Sequence, residues 1–141
     1  MKPYIIQGGN FEDHRGKISF VNDFSFENIR RFYTISNSET NPLRAWQGHK
    51  LDCKNFFCTA GSFKIFYVEV DDWQNPSKNL LVECTIISAS DSKVLVIPAG
   101  FANAVLSLEP NSQMISFSTL PLSDVALDDV RFDSSTWCTD L

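Results

Sequence analysis

The chain has 141 residues, of which 43% are hydrophobic and 21% charged, and a net charge of −5. This length and composition are typical of one globular domain, which we expect to comprise residues 1–141, and no run of about 18 uncharged apolar residues is present to cross a membrane. An acidic chain also lacks the basic surface that displaces counterions from nucleic acid, so unspecific nucleic-acid binding is excluded.

Alternating apolar and polar residues predict a series of short strands. In chain order these are residues 17–21, 32–36, 55–59, 62–70, 80–88, 93–97 and 114–119. Turn signals such as Ala60-Gly61 lie between them, which favours antiparallel neighbours. Helical periodicity is confined to residues 26–30 and 123–128, and Ser123 is the expected N-cap of the second segment. Closely spaced strands with short reversals indicate an all-β sandwich or barrel.

Two segments place polar side chains beside apolar strand residues, namely residues 43–50 (LRAWQGHK) and residues 96–104 (VIPAGFANA). In regular strand geometry Arg44, Trp46 and Gly48 share one face, whereas the other face carries Ala45, Gln47 and His49. We therefore expect Gln47 and His49 to point the same way, into the barrel.

The N-terminus and the cysteines favour a cytoplasmic protein. Residues 1–10 lack the basic region, long apolar core and small-residue cleavage site of a secretory signal. Cys53, Cys58, Cys84 and Cys138 match neither a zinc ribbon nor a disulfide framework. We expect them to be reduced, buried thiols without a chemical role.

Three motifs resemble those of one enzyme family. Residues 13–16 (DHRG) are similar to an early D-x-R-G motif, residues 44–50 to an R-G-x-H-x-H-K strand, and residues 97–103 (IPAGFAN) to an I-P-x-G-F-A-H turn. Together they resemble the dTDP-4-dehydrorhamnose 3,5-epimerases and the related dTDP-sugar 3,4-ketoisomerases over nearly the whole chain. The resemblance implies an all-β, cupin-like double-stranded β-helix (a jelly-roll barrel) and a homodimer.

The chemistry of that family is the removal of a proton next to a ketone, which requires a base and a proton donor. The histidine that is the epimerase base corresponds to Gln47, whose amide does not accept a proton at neutral pH. The second histidine of the ketoisomerases corresponds to His49, which we expect to be the proton shuttle, with Tyr33 as the acid. The turn histidine is replaced by Asn103 and a late tyrosine by Phe117, so part of the catalytic equipment is missing.

The resemblance implies a nucleotide sugar as the small-molecule partner. Guanidinium and ammonium groups pair with phosphate oxygens, so nearby cations are expected to hold its diphosphate. The expected substrate-binding residues are Arg15, Arg44, Gln47, Lys50, Lys54, Asn103 and Phe117. Asp133 is the carboxylate that the resemblance implies beside the base.

No metal or other cofactor is expected. Cupin metal sites take several histidines and a carboxylate, and this chain has only His14 and His49.

The leading hypothesis is a cofactor-independent epimerase or ketoisomerase that acts on a nucleotide-linked 4-keto-6-deoxy sugar in deoxysugar or polysaccharide biosynthesis. The first alternative is a non-catalytic, sugar-nucleotide-binding cupin that has lost the catalytic residues of the family, and the second is a purely structural interaction module. Structural roles also stay open for His49 as a hydrogen-bonded interior histidine and for Arg15 and Arg44 as partners in ion pairs.

Overall fold

The computed structural model describes every residue of the chain, Met1–Leu141. It contains twelve β-strands and one 3-10 helix. The elements are β1 (Tyr4–Gln7), β2 (Gly9–Asp13), β3 (Gly16–Phe20), β4 (Arg31–Ile35), β5 (Leu43–His49), β6 (Lys54–Ala60), β7 (Ser62–Glu69), β8 (Glu83–Ser88), β9 (Lys93–Ile97), β10 (Phe101–Ser107), β11 (Gln113–Ser118), the 3-10 helix (Leu122–Asp128) and β12 (Val130–Arg131). The helix is neither long nor apolar enough to span a membrane.

Two five-stranded antiparallel sheets enclose the interior. Sheet I has the strand order β1-β9-β6-β11-β4, and sheet II has the order β12-β5-β10-β7-β8. Strands β2 and β3 pair only with each other and form a separate hairpin. Most sheet neighbours are distant in sequence, as expected when a chain crosses repeatedly between two sheets. The predicted all-β class is confirmed.

Apolar side chains fill the space between the sheets and also cover the outer face of sheet II. The inner cluster includes Phe56 and Met114 from sheet I and Ile65 and Phe101 from sheet II. A second cluster on the outer face of sheet II includes Trp46, Phe66 and Trp137, so the C-terminal segment packs on the back of β5. The outer face of β5 is therefore covered by protein.

The turn between β6 and β7 requires glycine. Gly61 has a φ of +67°, in the left-handed region that side chains with a Cβ rarely adopt. A Cβ at this position would lie 2.1 Å from the Ser112 Oγ atom. The predicted turn at Ala60-Gly61 is therefore confirmed, with a steric reason for its glycine.

Two expectations about helices are wrong. Residues 26–30 form only a turn, in which the Ile29 amide donates to the Phe26 carbonyl at 3.0 Å. The 3-10 helix has Pro121 at its N-cap and no side-chain capping hydrogen bond, so Ser123 does not cap it. The Ser123 hydroxyl instead donates to the Asp124 carboxylate at 3.4 Å.

Strand β5 contains an irregularity that changes the predicted faces. Gln47 pairs with Asn103 and Arg44 pairs with Val105, so two residues of β5 lie opposite Ala104 alone. This is a β-bulge. The bulge residues, Ala45 and Trp46, both pack towards the outer cluster. Arg44 lies opposite a core residue and shares the inner side with Gln47, so the predicted faces of Arg44 and Ala45 are wrong.

All four cysteines are free, but only some of them are buried. Cys58 is buried, Cys53 is half-buried, and Cys84 and Cys138 are exposed. Burial raises the pKa of the Cys58 thiol to about 11, which keeps it protonated. The expectation of buried thiols is therefore wrong for Cys84 and Cys138, because both lie in segments that the core does not cover.

Candidate functional site

Polar and charged side chains lie inside the barrel at one of its ends. Cross-strand partners in antiparallel pairs carry their side chains on the same face. Fully buried Ser118 pairs with Arg31 on one side and with Lys54 on the other, so all three project inward from sheet I. From sheet II, His49 pairs with the core residue Phe101 and also points inward. The members of this inner polar group are Arg31, Tyr33, His49, Asp52, Lys54 and Asp128.

Lys54 is held in the interior by a carboxylate and a phenol. Only 4% of the residue is exposed. Its Nζ atom lies 2.9 Å from Asp52 Oδ2 and donates a 2.9 Å hydrogen bond to the Tyr33 hydroxyl oxygen. A buried ammonium group is costly unless it is paired, and these two partners provide the pairing. Lys54 thus lies among catalytic candidates rather than at a rim where a diphosphate would bind.

Asp52 is a buried carboxylate with several donors. It accepts hydrogen bonds from the Ser118 hydroxyl at 2.7 Å and from the Thr119 amide at 3.0 Å. Burial raises the pKa of Asp52, but the Ser118 hydrogen bond and the charge of Lys54 outweigh it and hold the pKa below its ordinary value. Asp52 is therefore ionised at neutral pH and balances the charge of Lys54.

Asp128 fixes the end of the 3-10 helix to the turn after β5. Its carboxylate accepts hydrogen bonds from the backbone amides of Lys50, Leu51 and Asp52, at 2.7, 3.0 and 2.9 Å. The same carboxylate lies 3.6 Å from His49 Nδ1. The carboxylate beside His49 is therefore Asp128. Asp133 is exposed, accepts hydrogen bonds from Ser135 and lines the larger of the two cavities described below together with Gln47, which occupies the position of the epimerase base.

His49 is a neutral imidazole with one unused nitrogen. Burial lowers its pKa, the charge of Lys54 lowers it further, and Asp52 and Asp128 oppose these effects only in part. A neutral imidazole carries one N–H group and one lone pair, and a carboxylate near Nδ1 favours the proton on that nitrogen. Nε2 is buried and has no hydrogen-bond partner, so its lone pair is free.

Two cavities adjoin the inner side of β5. The smaller has a volume of about 40 Å³ and is lined by members of the inner polar group together with Leu120, Val125 and Asp129. It has room for a few water molecules at most. The larger has a volume of about 540 Å³, within the usual range for ligand pockets. Arg44, Gln47 and Arg131 line the larger cavity.

Two arginine side chains, Arg44 and Arg131, line the larger cavity, because the β5 bulge and β12 bring them to the same side. Arg131 pairs with Gln47 in the sheet and therefore shares its inner face. The Arg44 Nε atom donates to the Asn37 side-chain oxygen at 3.5 Å, and Arg131 pairs with exposed Asp129 at 3.1 Å. Neither arginine is fully engaged, so both have donors left for an anion.

Four predicted binding residues, namely Arg15, Lys50, Asn103 and Phe117, lie outside both cavities. Arg15 belongs to the β2–β3 hairpin, where its exposed guanidinium pairs with Asp13 at 2.7 Å. The Lys50 ammonium lies 5.6 Å from the ring centroid of Trp73. Phe117 faces away from the interior, because its strand neighbours Ser116 and Ser118 are the fully buried ones.

Phe117 forms an aromatic cluster with its neighbours instead. Its ring centroid lies 5.3 Å from that of Phe24 and 5.4 Å from that of Phe26. Asn103, in contrast, is 3% exposed and lies between Gln47 and Tyr67 on the inner face of sheet II. It reaches the interior without lining either cavity described above.

Sequence reasoning missed Arg31, Asp52 and Asp128. Arg31 directly precedes the predicted strand that contains Tyr33, and its alternation with Tyr33 would have placed it on the same face. No comparable local signal marks the two aspartates. They meet His49 only through the pairing of distant strands and the position of the 3-10 helix.

The described residues offer no ready-made metal site. No group of three or more His, Cys, Asp or Glu side chains is arranged to hold an ion. The buried acids of the inner polar group are instead engaged by Lys54 and by backbone amides.

Comparison with known proteins finds no matching family model and no matching curated protein. Solved structures do match. A 3,4-ketoisomerase from Thermoanaerobacterium thermosaccharolyticum in complex with TDP-4-keto-6-deoxyglucose has a TM-score of 0.65 at 15% identity, covering 84% of this chain and 80% of that one. The Mycobacterium tuberculosis rmlC epimerase has a TM-score of 0.68 at 18% identity, covering 84% of this chain and 63% of that one.

A third match is a 3'-monoepimerase from Streptomyces bikiniensis in complex with dTDP-quinovose, with a TM-score of 0.68 at 17% identity over 83% of this chain. This chain has the cupin fold of these sugar epimerases and ketoisomerases. The jelly-roll barrel implied by the three sequence motifs is therefore confirmed. The match to this chain covers 63% of the length of each of the two epimerases.

Proposed function

We propose that this cupin is a cofactor-independent epimerase or 3,4-ketoisomerase that acts on a nucleotide-linked 4-keto-6-deoxy sugar of the dTDP type. The observation that supports it best is the free Nε2 of His49, a buried nitrogen without a partner that faces a cavity inside the barrel. A neutral imidazole in this position is suited to accept a proton from a carbon next to a ketone.

The proposed reaction moves one proton at a time. The C–H bond next to the ketone breaks, its proton passes to His49 Nε2, and its electron pair forms the carbon–carbon double bond of an enolate. A proton then returns to a carbon of the enolate, from Tyr33 on one face or from His49 on the other. Tyr33 is supported as the donor by its hydrogen bond with the Lys54 ammonium, which orients the phenol.

The larger cavity is the proposed site of the nucleotide diphosphate. Arg44 and Arg131 line it, and guanidinium groups bind phosphate oxygens in a bidentate manner. Gln47 lies in the same cavity, and strand geometry separates its Cα from that of His49 by about 7 Å. A sugar attached to a diphosphate in this cavity would therefore extend towards His49.

The proposed setting follows from the substrate. Nucleotide-linked deoxysugars are intermediates of deoxysugar and polysaccharide biosynthesis, so we place the protein there and in the cytoplasm. Its proposed partner is the nucleotide sugar alone, without nucleic acid or membrane.

The test is proton exchange with solvent. Purified protein is incubated with dTDP-4-keto-6-deoxyglucose in deuterated water, and deuterium at C3 and C5 is followed by NMR together with the appearance of a new keto sugar. Enzyme-dependent exchange at either carbon is expected. An absence of both exchange and a new product at high protein concentration would refute the proposed activity.

The second candidate is a non-catalytic cupin that binds a sugar nucleotide. It is favoured by the volume beside His49, since about 40 Å³ does not admit a hexose ring. Isothermal titration with dTDP and with the keto sugar separates the candidates when it is combined with the exchange measurement. Equal affinities for both ligands without exchange would favour this candidate over the enzyme.

A further inference from the structure

Two buried polar atoms without partners line the small cavity. Arg31 Nε and His49 Nε2 are both shielded from solvent and make no hydrogen bond, and both residues line the same cavity of about 40 Å³. Buried polar groups in folded proteins are nearly always hydrogen-bonded, and an exception calls for a missing partner. Two exceptions in one cavity call for a shared partner with two complementary features, either water or a polar group of a ligand.

The two atoms differ in hydrogen-bonding character. Arg31 Nε carries a hydrogen and is only a donor, because a guanidinium group stays protonated in proteins. His49 Nε2 is the lone-pair nitrogen of an imidazole whose Nδ1 lies near Asp128. A donor beside a proton acceptor complements a carbonyl oxygen and the C–H group next to it.

Lys54, the other cationic side chain that lines the small cavity, is already paired with protein groups. Lys54 directs its ammonium to Asp52 and to the Tyr33 hydroxyl, each at 2.9 Å. Arg31 has no carboxylate within salt-bridge distance, although three aspartates line the same cavity. Its guanidinium carbon lies 5.0 Å from the ring centroid of Tyr33, and stacking on an aromatic face holds a guanidinium in one orientation. Arg31 is thus both free and oriented.

We propose that Arg31 is a catalytic residue whose Nε–H group binds and polarises the ketone oxygen of the substrate while His49 takes the adjacent proton. This inference rests on the proposed function. As the C–H electron pair forms the new carbon–carbon double bond, the carbonyl π pair moves to oxygen, and the resulting enolate oxygen is stabilised by the hydrogen bond from Arg31. Reprotonation of carbon reverses these movements, so Arg31 neither gains nor loses a proton.

The proposal requires the small cavity to widen when a sugar enters. Val125 of the 3-10 helix and Leu120 supply its apolar wall. Apolar contacts of this kind have no directional bonds to break, unlike the contacts of Asp128 with the backbone. Displacement of that wall leaves Arg31 and His49 in place on their strands.

The experiment compares Arg31→Gln with Arg30→Gln. Arg30 is the adjacent arginine, is exposed and lines neither of the two cavities, so its substitution is a matched control. We expect Arg31→Gln to lower the rate constant of deuterium exchange by about 10²–10³-fold with little change in KM, as for other donors to a developing oxyanion. Arg30→Gln should exchange at the rate of the unaltered protein. Arg31→Lys keeps the charge and should recover part of the loss.

A second measurement does not depend on turnover. The infrared carbonyl stretch of the keto sugar labelled with carbon-13 at C4 is recorded in complex with each variant. A stronger donor lowers this frequency, so the unaltered protein and Arg30→Gln should give a lower value than Arg31→Gln. Circular dichroism of each variant verifies that it is folded.

The combined outcomes separate this inference from the proposed function. Exchange by the unaltered protein that Arg31→Gln retains in full, with the same carbonyl frequency, would overturn the role of Arg31 and leave the enzyme. A carbonyl shift that depends on Arg31 without any exchange would support the contact and refute the enzyme. If the unaltered protein shows neither deuterium exchange nor a carbonyl shift that depends on Arg31, both the proposed enzymatic function and the role of Arg31 are refuted.

Discussion

Few of the interior polar side-chain atoms of this cupin are left without a hydrogen-bond partner. Asp52, Lys54 and Asp128 satisfy one another, backbone amides or nearby hydroxyl groups. His49 and Arg31 each retain a buried atom that no protein group engages. The hydroxyl groups of Ser107 and Ser116 are also buried without a partner, but Arg31 and His49 are the two that line the small cavity. A buried donor or acceptor without a partner is destabilising, so a ligand that paired with both residues would stabilise the fold.

Replacement of His49 tests the base. His49→Asn keeps a polar side chain of similar reach but removes the nitrogen that accepts a proton, so the exchange rate should fall by about 10²–10⁴-fold. The rate of deuterium uptake at C3 and C5 is the measurement. The control is His14→Asn, since His14 is the other histidine of the chain and is exposed in the β2–β3 hairpin. Retention of the full rate in His49→Asn would contradict the assignment.

The pH dependence of deuterium exchange is a second test of His49. His49 must be neutral to act as a base, and burial together with Lys54 lowers its pKa below the ordinary 6.5. The charged groups around it are Arg31, Asp52, Lys54, Asp128 and Asp129. The rate should therefore stay constant at neutral pH and fall on acidification, with an apparent pKa for the acidic limb of kcat/KM below that ordinary value. An acidic limb centred above the ordinary value would count against His49.

At the scale of elements, alternation predicts seven of the twelve strands, and it misses β10, whose first five residues are buried on both faces and do not alternate. β9 has the predicted bounds, and β4, β6, β7 and β11 differ from theirs by a residue or so at their ends. β2 was not predicted, because Phe11 is the only large apolar residue of Gly9–Asp13 and leaves no alternation to detect. The bulge in β5 also has no sequence signal of its own, since it arises from pairing with β10.

The candidate site was predictable to a smaller extent than the strands. His49, Gln47 and Arg44 come from one strand motif, and the structure places all three on the inner side of β5. Asp128 is 79 positions from His49 in sequence (128 − 49), and only the position of the 3-10 helix brings the two together. Such contacts depend on tertiary packing, which composition and spacing do not encode locally.

The 3-10 helix is attached to the barrel through one carboxylate, which makes a specific stability prediction. Asp128→Asn leaves a single neutral acceptor for three backbone amides, so the free energy of unfolding should decrease by about 1–3 kcal/mol. Urea denaturation followed by tryptophan fluorescence measures it. Asp129→Asn is the matched control, because Asp129 makes only an exposed pair with Arg131, worth at most about 1 kcal/mol. Equal effects of the two substitutions would exclude Asp128 as the attachment.

For the whole molecule, the homodimer implied by the sequence motifs stays a prediction. Size-exclusion chromatography with light scattering should give twice the chain mass of 15.9 kDa. The physical reason is that the separate hairpin leaves Phe11 and Ile18 exposed at 55% and 63%, and an isolated hairpin is only marginally stable without further packing. A constant mass of one chain over the accessible concentration range would show that the protein is a monomer.

The bulge in β5 has a consequence for how such chains can diverge. Because Ala45 and Trp46 together occupy the place of one residue opposite Ala104, the strand holds one residue more than its partner while Arg44 stays on the same side as Gln47. One residue can therefore be inserted or deleted at the bulge while the Arg44 side chain stays on the same face of the strand. Relatives that differ by one residue in the distance between this arginine and the following polar side chains can still present the same side chains to the proposed binding cavity, and an alignment that penalises the gap would overlook them.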